Sequence, residues 1–143
     1  MALLPYLEAN RIEAGCDEVG RGCLAGPVVA AAVILPADYE NPWINDSKKL
    51  GKSQREELIE EIKLKSLDWA IAEATVAEID QINILNASFL AMSRAIEMLK
   101  VKPEHLLIDG NRWKSKLEYS YSCIIKGDGK FASIAAASIL AKV

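Results

Sequence analysis

The pattern of apolar and polar positions divides the chain into short strands and amphipathic helices. Residues 11–17 form a short apolar stretch that predicts a strand running into a glycine-rich turn. The run Val28 to Leu35 (VVAAAVIL) is short, apolar and partly β-branched, as a buried strand would be. Ser53 followed by Glu56 reads as a capping box opening a helix through about Ser66. Its glutamates and Lys63 form a solvated face. Residues 68–76 alternate as a further strand. Between Ile84 and Leu99 the apolar positions Leu85, Phe89, Met92, Ile96 and Leu99 recur at helical spacing, which predicts a core-facing helix. His105 to Asp109 (HLLID) and Glu118 to Ile125 (EYSYSCII) predict two more strands. The closing FASIAAASILAKV predicts a helix whose small side chains let its backbone lie close to a sheet. Mixed strands and helices in this order predict α/β layers.

Composition narrows the class. The 143 residues suit one domain, residues 1–143, with a single core. Hydrophobic residues at 51% and charged residues at 26% match a folded globular protein. The formal charge of −3 gives no bulk attraction for nucleic acid, although a local basic groove or a metal-filled acidic site stays open. Cys16, Cys23 and Cys123 lack zinc-site or disulfide-framework spacing and predict free thiols in a reducing compartment. The amino-terminal residues do not resemble a signal peptide, and no run of about twenty apolar residues could span a bilayer. A cytoplasmic protein without membrane association is expected.

Three acidic sites stand out: Asp17-Glu18, Asp109 and Asp128. Each lies where a predicted strand gives way to a glycine-containing turn, in DEVGRG, DGN and GDGK. Ligands gather at strand ends in open α/β sheets, so these sites could converge. Neighbouring residues of a regular strand face opposite ways, so Asp17 and Glu18 would share one site only if the backbone turned between them. Clustered carboxylates repel unless cations compensate, and oxygen donors suit Mg²⁺ or Mn²⁺. Two such ions support phosphodiester hydrolysis without a histidine. His105, the sole histidine, is expected to be an exposed or capping residue rather than a general base. Taken singly, Asp109 and Asp128 are ordinary turn chemistry, and Asp128 could cap the following helix. Asp17-Glu18 fits that explanation less well.

These residues resemble the type 2 ribonuclease H family, the bacterial ribonuclease HII enzymes. GCDEVGRGCLAGPVVAAAVIL resembles the family's opening signature, DSKKL (Asp46 to Leu50) its second motif, LIDGN (Leu107 to Asn111) its third, and KGDGKFASIAAASILAKV (Lys126 to Val143) its fourth. The resemblance implies a ribonuclease H-like fold, a mixed sheet flanked by helices. It implies endonucleolytic cleavage of RNA in RNA–DNA hybrids and of single ribonucleotides embedded in duplex DNA. It places the metal-binding acids at Asp17, Glu18, Asp109 and Asp128, with two Mg²⁺ or Mn²⁺ ions during catalysis. It assigns sensing of the ribose 2′-hydroxyl to Gly20, Arg21 and Gly22. Lys48 and Lys49 are candidate phosphate contacts, and a monomer is expected. Family members continue past the Ala-Lys-Val, so this chain is expected to lack their C-terminal helical segment. Two alternatives follow: a truncated, non-catalytic hybrid-binding fragment, or a DNA-cutting metal nuclease of the same fold.

Overall fold

The computed structural model describes residues 3–20, 26–45 and 49–142. A run of seven consecutive strand residues that are nearly all buried must be covered on both faces, and Val28–Ile34 is such a run. This strand, β2, lies inside a five-stranded sheet. It follows β1 (Glu13–Val19) and precedes the short α1 (Pro42–Asn45), α2 (Lys52–Lys65) and β3 (Asp68–Ala74). Then come α3 (Val76–Ile82), α4 (Ile84–Met98), β4 (His105–Asp109), β5 (Tyr121–Ile124), a 3₁₀ turn at Gly127–Gly129, and α5 (Ala132–Ala141). The strand order is β3-β2-β1-β4-β5. β1, β2 and β3 pair antiparallel, whereas β1–β4 and β4–β5 pair parallel, so the sheet is mixed, as expected.

The period-2 alternation of strands assigns the two faces. Ala14, Cys16, Ala30, Ala32, Leu106 and Ile108 pack against α4 through Met92, Ala95 and Ile96. Ala31 and Val33 pack against α5, which also meets Leu58 and Ile62 of α2. α5 is buried along its whole length. A Cβ placed on Gly15 would overlap the backbone of Ser133 and Ile134. The alanine-rich helix therefore rests on β1 at a distance that only glycine permits, as its small side chains predict. Ser133 and Ser138 are both buried in this layer.

The N-terminal segment closes this layer. The Leu4 amide donates to the Lys130 carbonyl (2.8 Å), and the Ala132 amide donates to the Leu4 carbonyl (2.9 Å). The residue preceding α5, Phe131, makes no side-chain cap, so Leu4 supplies an acceptor that the helix start lacks.

Several boundaries differ from the expected ones. β1 occupies 13–19 rather than 11–17, because Glu13 turns to accept from the Leu7 and Glu8 amides and from Arg11 Nε, which keeps Arg11 in the preceding loop. α2 starts at Lys52 with Gly51 before it, and Gln54 Oε1 accepts from the Gly51 amide (3.2 Å). The reach-back contact thus belongs to Gln54, and the Ser53–Glu56 box is not the helix start. β3 ends at Ala74 because Thr75 and Glu78 form a capping box that opens α3. β5 is confined to 121–124, within the expected 118–125.

His105 is corrected from exposed to buried. Its Nδ1 and Nε2 each lie 2.8 Å from a hydroxyl, those of Ser120 and Ser122. Ser120 spends its proton on the Glu104 carbonyl, so it accepts from Nδ1–H and leaves Nε2 to accept from Ser122. Burial, followed by the nearby Arg11, lowers the His105 pKa. The ring is a structural tie between β4 and β5, not a capping group.

Candidate active site

The parallel pairing of β1 with β4 brings the first two acids together. Cys16 is in register with Ile108, so the next residues along, Asp17 and Asp109, stand side by side at the ends of neighbouring strands. Asp17 is buried, with 6% of its surface exposed. Its Oδ1 accepts from the Glu18 amide (2.8 Å). Burial foremost, then the Asp109 charge and a hydrogen bond with Asp109, push the Asp17 carboxyl up to about 8. The Glu18 amide acts in the opposite direction. Two carboxylates this close share a proton unless a cation replaces it.

The third segment arrives through the 3₁₀ turn. The Gly127 amide donates to Asp109 Oδ1 at 2.7 Å. A Cβ at Gly127 would come within 2.6 Å of Ile134 Cδ1 and 3.2 Å of Ile124 Cβ, so a larger residue here would have to displace the Ile134 side chain. Asp128 is the next residue, half-buried in the same turn. α5 begins only after Phe131 and has no side-chain cap, which removes helix capping as the role of Asp128.

Glu18 is arranged differently. β1 stays regular through Val19, and the backbone does not turn between the two acids. Asp17 therefore lies on the α5 side, and Glu18 faces α4. There Glu18 lines a cleft of about 260 Å³ together with Leu85, Phe89 and Met92 of α4 and with Asp109 and Arg112. Asp109 borders both sides. The departure from strand geometry comes after the acids, at Gly20, whose φ of +119° favours glycine.

The donor chemistry of Asp17 and Asp109 fits a hard divalent cation: carboxylate oxygens only, one of them buried beside another negative charge. Among the described residues, no three His, Cys, Asp or Glu side chains are gathered closely enough to hold a metal ion. The assembled part of the set is the Asp17–Asp109 pair, with Glu18 and Asp128 at its borders. Arg21, Gly22 and Lys48 lie outside the described residues. Lys49 is exposed just before α2. Asn111 and Arg112, both exposed, bring polar groups to the cleft; Arg112 follows the DGN motif directly and was not singled out by spacing.

The sequence profile of ribonuclease HII matches residues 14–143. The chain belongs to the ribonuclease HII family. Ribonuclease HII of Phocaeicola vulgatus is 61% identical over 140 residues, covering 98% of this chain and 70% of that protein. Among solved structures, ribonuclease H2 from Pyrococcus horikoshii superposes with a TM-score of 0.78 at 26% identity, covering 92% of this chain and 70% of that one. The ribonuclease HII of Archaeoglobus fulgidus, solved in complex with PCNA, gives 0.70 at 29% identity, covering 92% and 71%. The ribonuclease HII membership makes this chain an endoribonuclease of the ribonuclease H class with a ribonuclease H-like fold. Among the described residues, no helix is long and apolar enough to cross a membrane.

Proposed function

We propose that this chain hydrolyses the RNA strand of RNA–DNA hybrids and cuts at single ribonucleotides within duplex DNA, using two Mg²⁺ or Mn²⁺ ions. The observation that carries this reading is the buried Asp17 beside Asp109, a pair whose mutual repulsion calls for a cation. Asp17 and Asp109 would hold the metal, with Glu18 on the cleft side and Asp128 on the turn completing the acidic set. The metal supplies Lewis-acid activation of water and charge stabilisation at the phosphate.

The chain's own groups do the rest. The Gly127 amide fixes Asp109 Oδ1. The Glu18 amide fixes Asp17 Oδ1 in the same way. Gly20, Arg21 and Gly22 are assigned to the ribose, because glycine lets backbone polar groups approach a sugar closely. The 2′-hydroxyl, donor and acceptor at once, is what separates RNA from DNA. Lys48 and Lys49 are assigned to phosphates. The active unit is proposed to be a monomeric single domain working in the cytoplasm.

Cleavage is tested on three labelled duplexes: an RNA–DNA hybrid, a DNA duplex with one ribonucleotide, and an all-DNA duplex. Cutting of the first two in Mg²⁺ or Mn²⁺, and of none in EDTA, is the expected pattern. Cutting of the all-DNA duplex, or metal-independent cutting of the hybrid, overturns the reading. Binding of the hybrid with no cutting in either metal would favour the fragment alternative instead.

A further inference from the structure

We infer that Arg112 is a substrate-binding residue that holds a backbone phosphate of the nucleic acid at the mouth of the Glu18–Asp109 cleft, and that Trp113 is its positioning residue. The inference rests on the nuclease reading above and adds a residue to it.

A polyanion approaching this cleft meets the carboxylates of Glu18 and Asp109. Among the described residues lining the cleft, Arg112 is the sole cation. It is exposed and makes no ion pair with another described residue. An exposed guanidinium with no ion-pair partner among the described residues offers solvent a fork of donors that matches a phosphate.

The backbone on both sides of Arg112 is fixed. The Gly110 amide donates to the Ile124 carbonyl (2.9 Å), and its φ of +126° reverses the chain immediately after Asp109. Trp113 meets Phe89 of α4 edge-to-face, with centroids 5.9 Å apart and planes at 78°. Ser115 Oγ lies 2.7 Å from Ser93 Oγ, a second attachment of the same loop to α4. Asn111 and Arg112 are therefore a two-residue rim stretched between anchors. Phe89 belongs to both the cleft wall and the anchor, so the wall of the cleft also sets the position of the arginine.

The test uses the full chain and a short labelled RNA–DNA hybrid. Arg55, exposed on α2, provides the control for loss of one positive charge. Arg112→Ala is expected to raise KM about tenfold, with kcat changed far less. In EDTA it is expected to reduce the slope of log binding constant against log salt by about 0.9, one phosphate contact, whereas Arg55→Ala leaves the slope unchanged. Arg112→Lys should keep the slope and lose part of the affinity. Trp113→Ala should raise KM less than Arg112→Ala, and the double variant should be no worse than Arg112→Ala alone. Thermal melts verify that each variant is folded. Wild-type cleavage with Arg112→Ala matching Arg55→Ala in both KM and slope overturns the assignment of Arg112 alone. A wild-type chain that neither binds nor cuts the hybrid overturns the nuclease reading and this inference together.

Discussion

The two faces of the sheet are built on opposite packing rules. On the α5 face, Gly15 and the run Ala135, Ala136 and Ala137 bring helix and strand backbones together. On the α4 face, small strand residues meet large helix residues such as Phe89, Met92 and Ile96, and a cleft remains where that layer ends. The first arrangement leaves little room for movement and carries the buried Asp17. The second leaves a space that a substrate strand can occupy. Stiffness on one side and access on the other are complementary requirements for the proposed site, which would have to hold carboxylates still and admit a polymer. Asp109, at the strand end between them, serves both sides.

The largest effect that would sharpen this contrast is chemical. Asp17→Asn should lower metal-dependent cleavage of the hybrid by roughly a hundred- to a thousandfold while leaving the circular dichroism of the fold unchanged. Cleavage near the wild-type rate would remove Asp17 from the site. Next comes Gly15→Ala, which forces a methyl into the Ser133–Ile134 backbone and should cost about 3 kcal/mol in urea unfolding. A neutral result would mean that α5 can slide on β1, and the contrast between the faces would fail.

A smaller effect concerns pH in the metal-free protein. Asp17 titrates near 8 when folded and near 3.8 when unfolded, so between these values the folded state retains a proton that the unfolded state has released. Stability in EDTA should therefore fall as pH rises from about 4 to about 8, and Asp17→Asn should flatten that slope. His105 contributes with the opposite sign. Its folded pKa is lowered below 6.5, the unfolded state binds the proton more readily, and stability is lost as pH falls below about 6.5. Equilibrium urea titrations across this range check both. The smallest effect is Met92→Leu on the cleft wall, a volume-conserving change that should cost under about 1.5 kcal/mol. A loss as large as that of Gly15→Ala would show the α4 face to be just as tightly constrained.

How much of this was legible beforehand depended on how local the cause was. β2, β4 and α4 follow from apolar runs and helical spacing, because burial repeats along the segment itself. α3 was missed although Thr75 and Glu78 carry a capping box, because the alternating pattern of residues 68–76 runs on over Thr75. The start of α2 went wrong because Ser53–Glu56 matches the capping-box pattern, whereas in the fold Gln54 reaches back to the amide of Gly51, a residue with no side chain to complete such a box. The burial of His105 depends on hydroxyls from another strand, a partnership that its own neighbours do not signal.

In the site, the acids could be nominated from their turns, but the neighbour of Asp17 could not. The Asp17–Asp109 pairing arises from a parallel β1–β4 register that joins distant segments. The same register leaves Glu18 on the other face, which its adjacency to Asp17 in sequence conceals. Arg112 was overlooked because an arginine after DGN looks like any exposed turn residue until Trp113 is seen docked on Phe89.

The Leu4 bridge to α5 has a consequence for the order of assembly on the ribosome. Leu4 is made well before its partners, Lys130 and Ala132. The segment around Leu4 must wait for them while the intervening strands and helices are synthesised. β1, which follows directly, pairs early with β2, but the helix that covers Gly15 is made late. Until then the exposed glycine face of β1 has no cover, and a nascent chain stalled before α5 would present it to chaperones or to other chains.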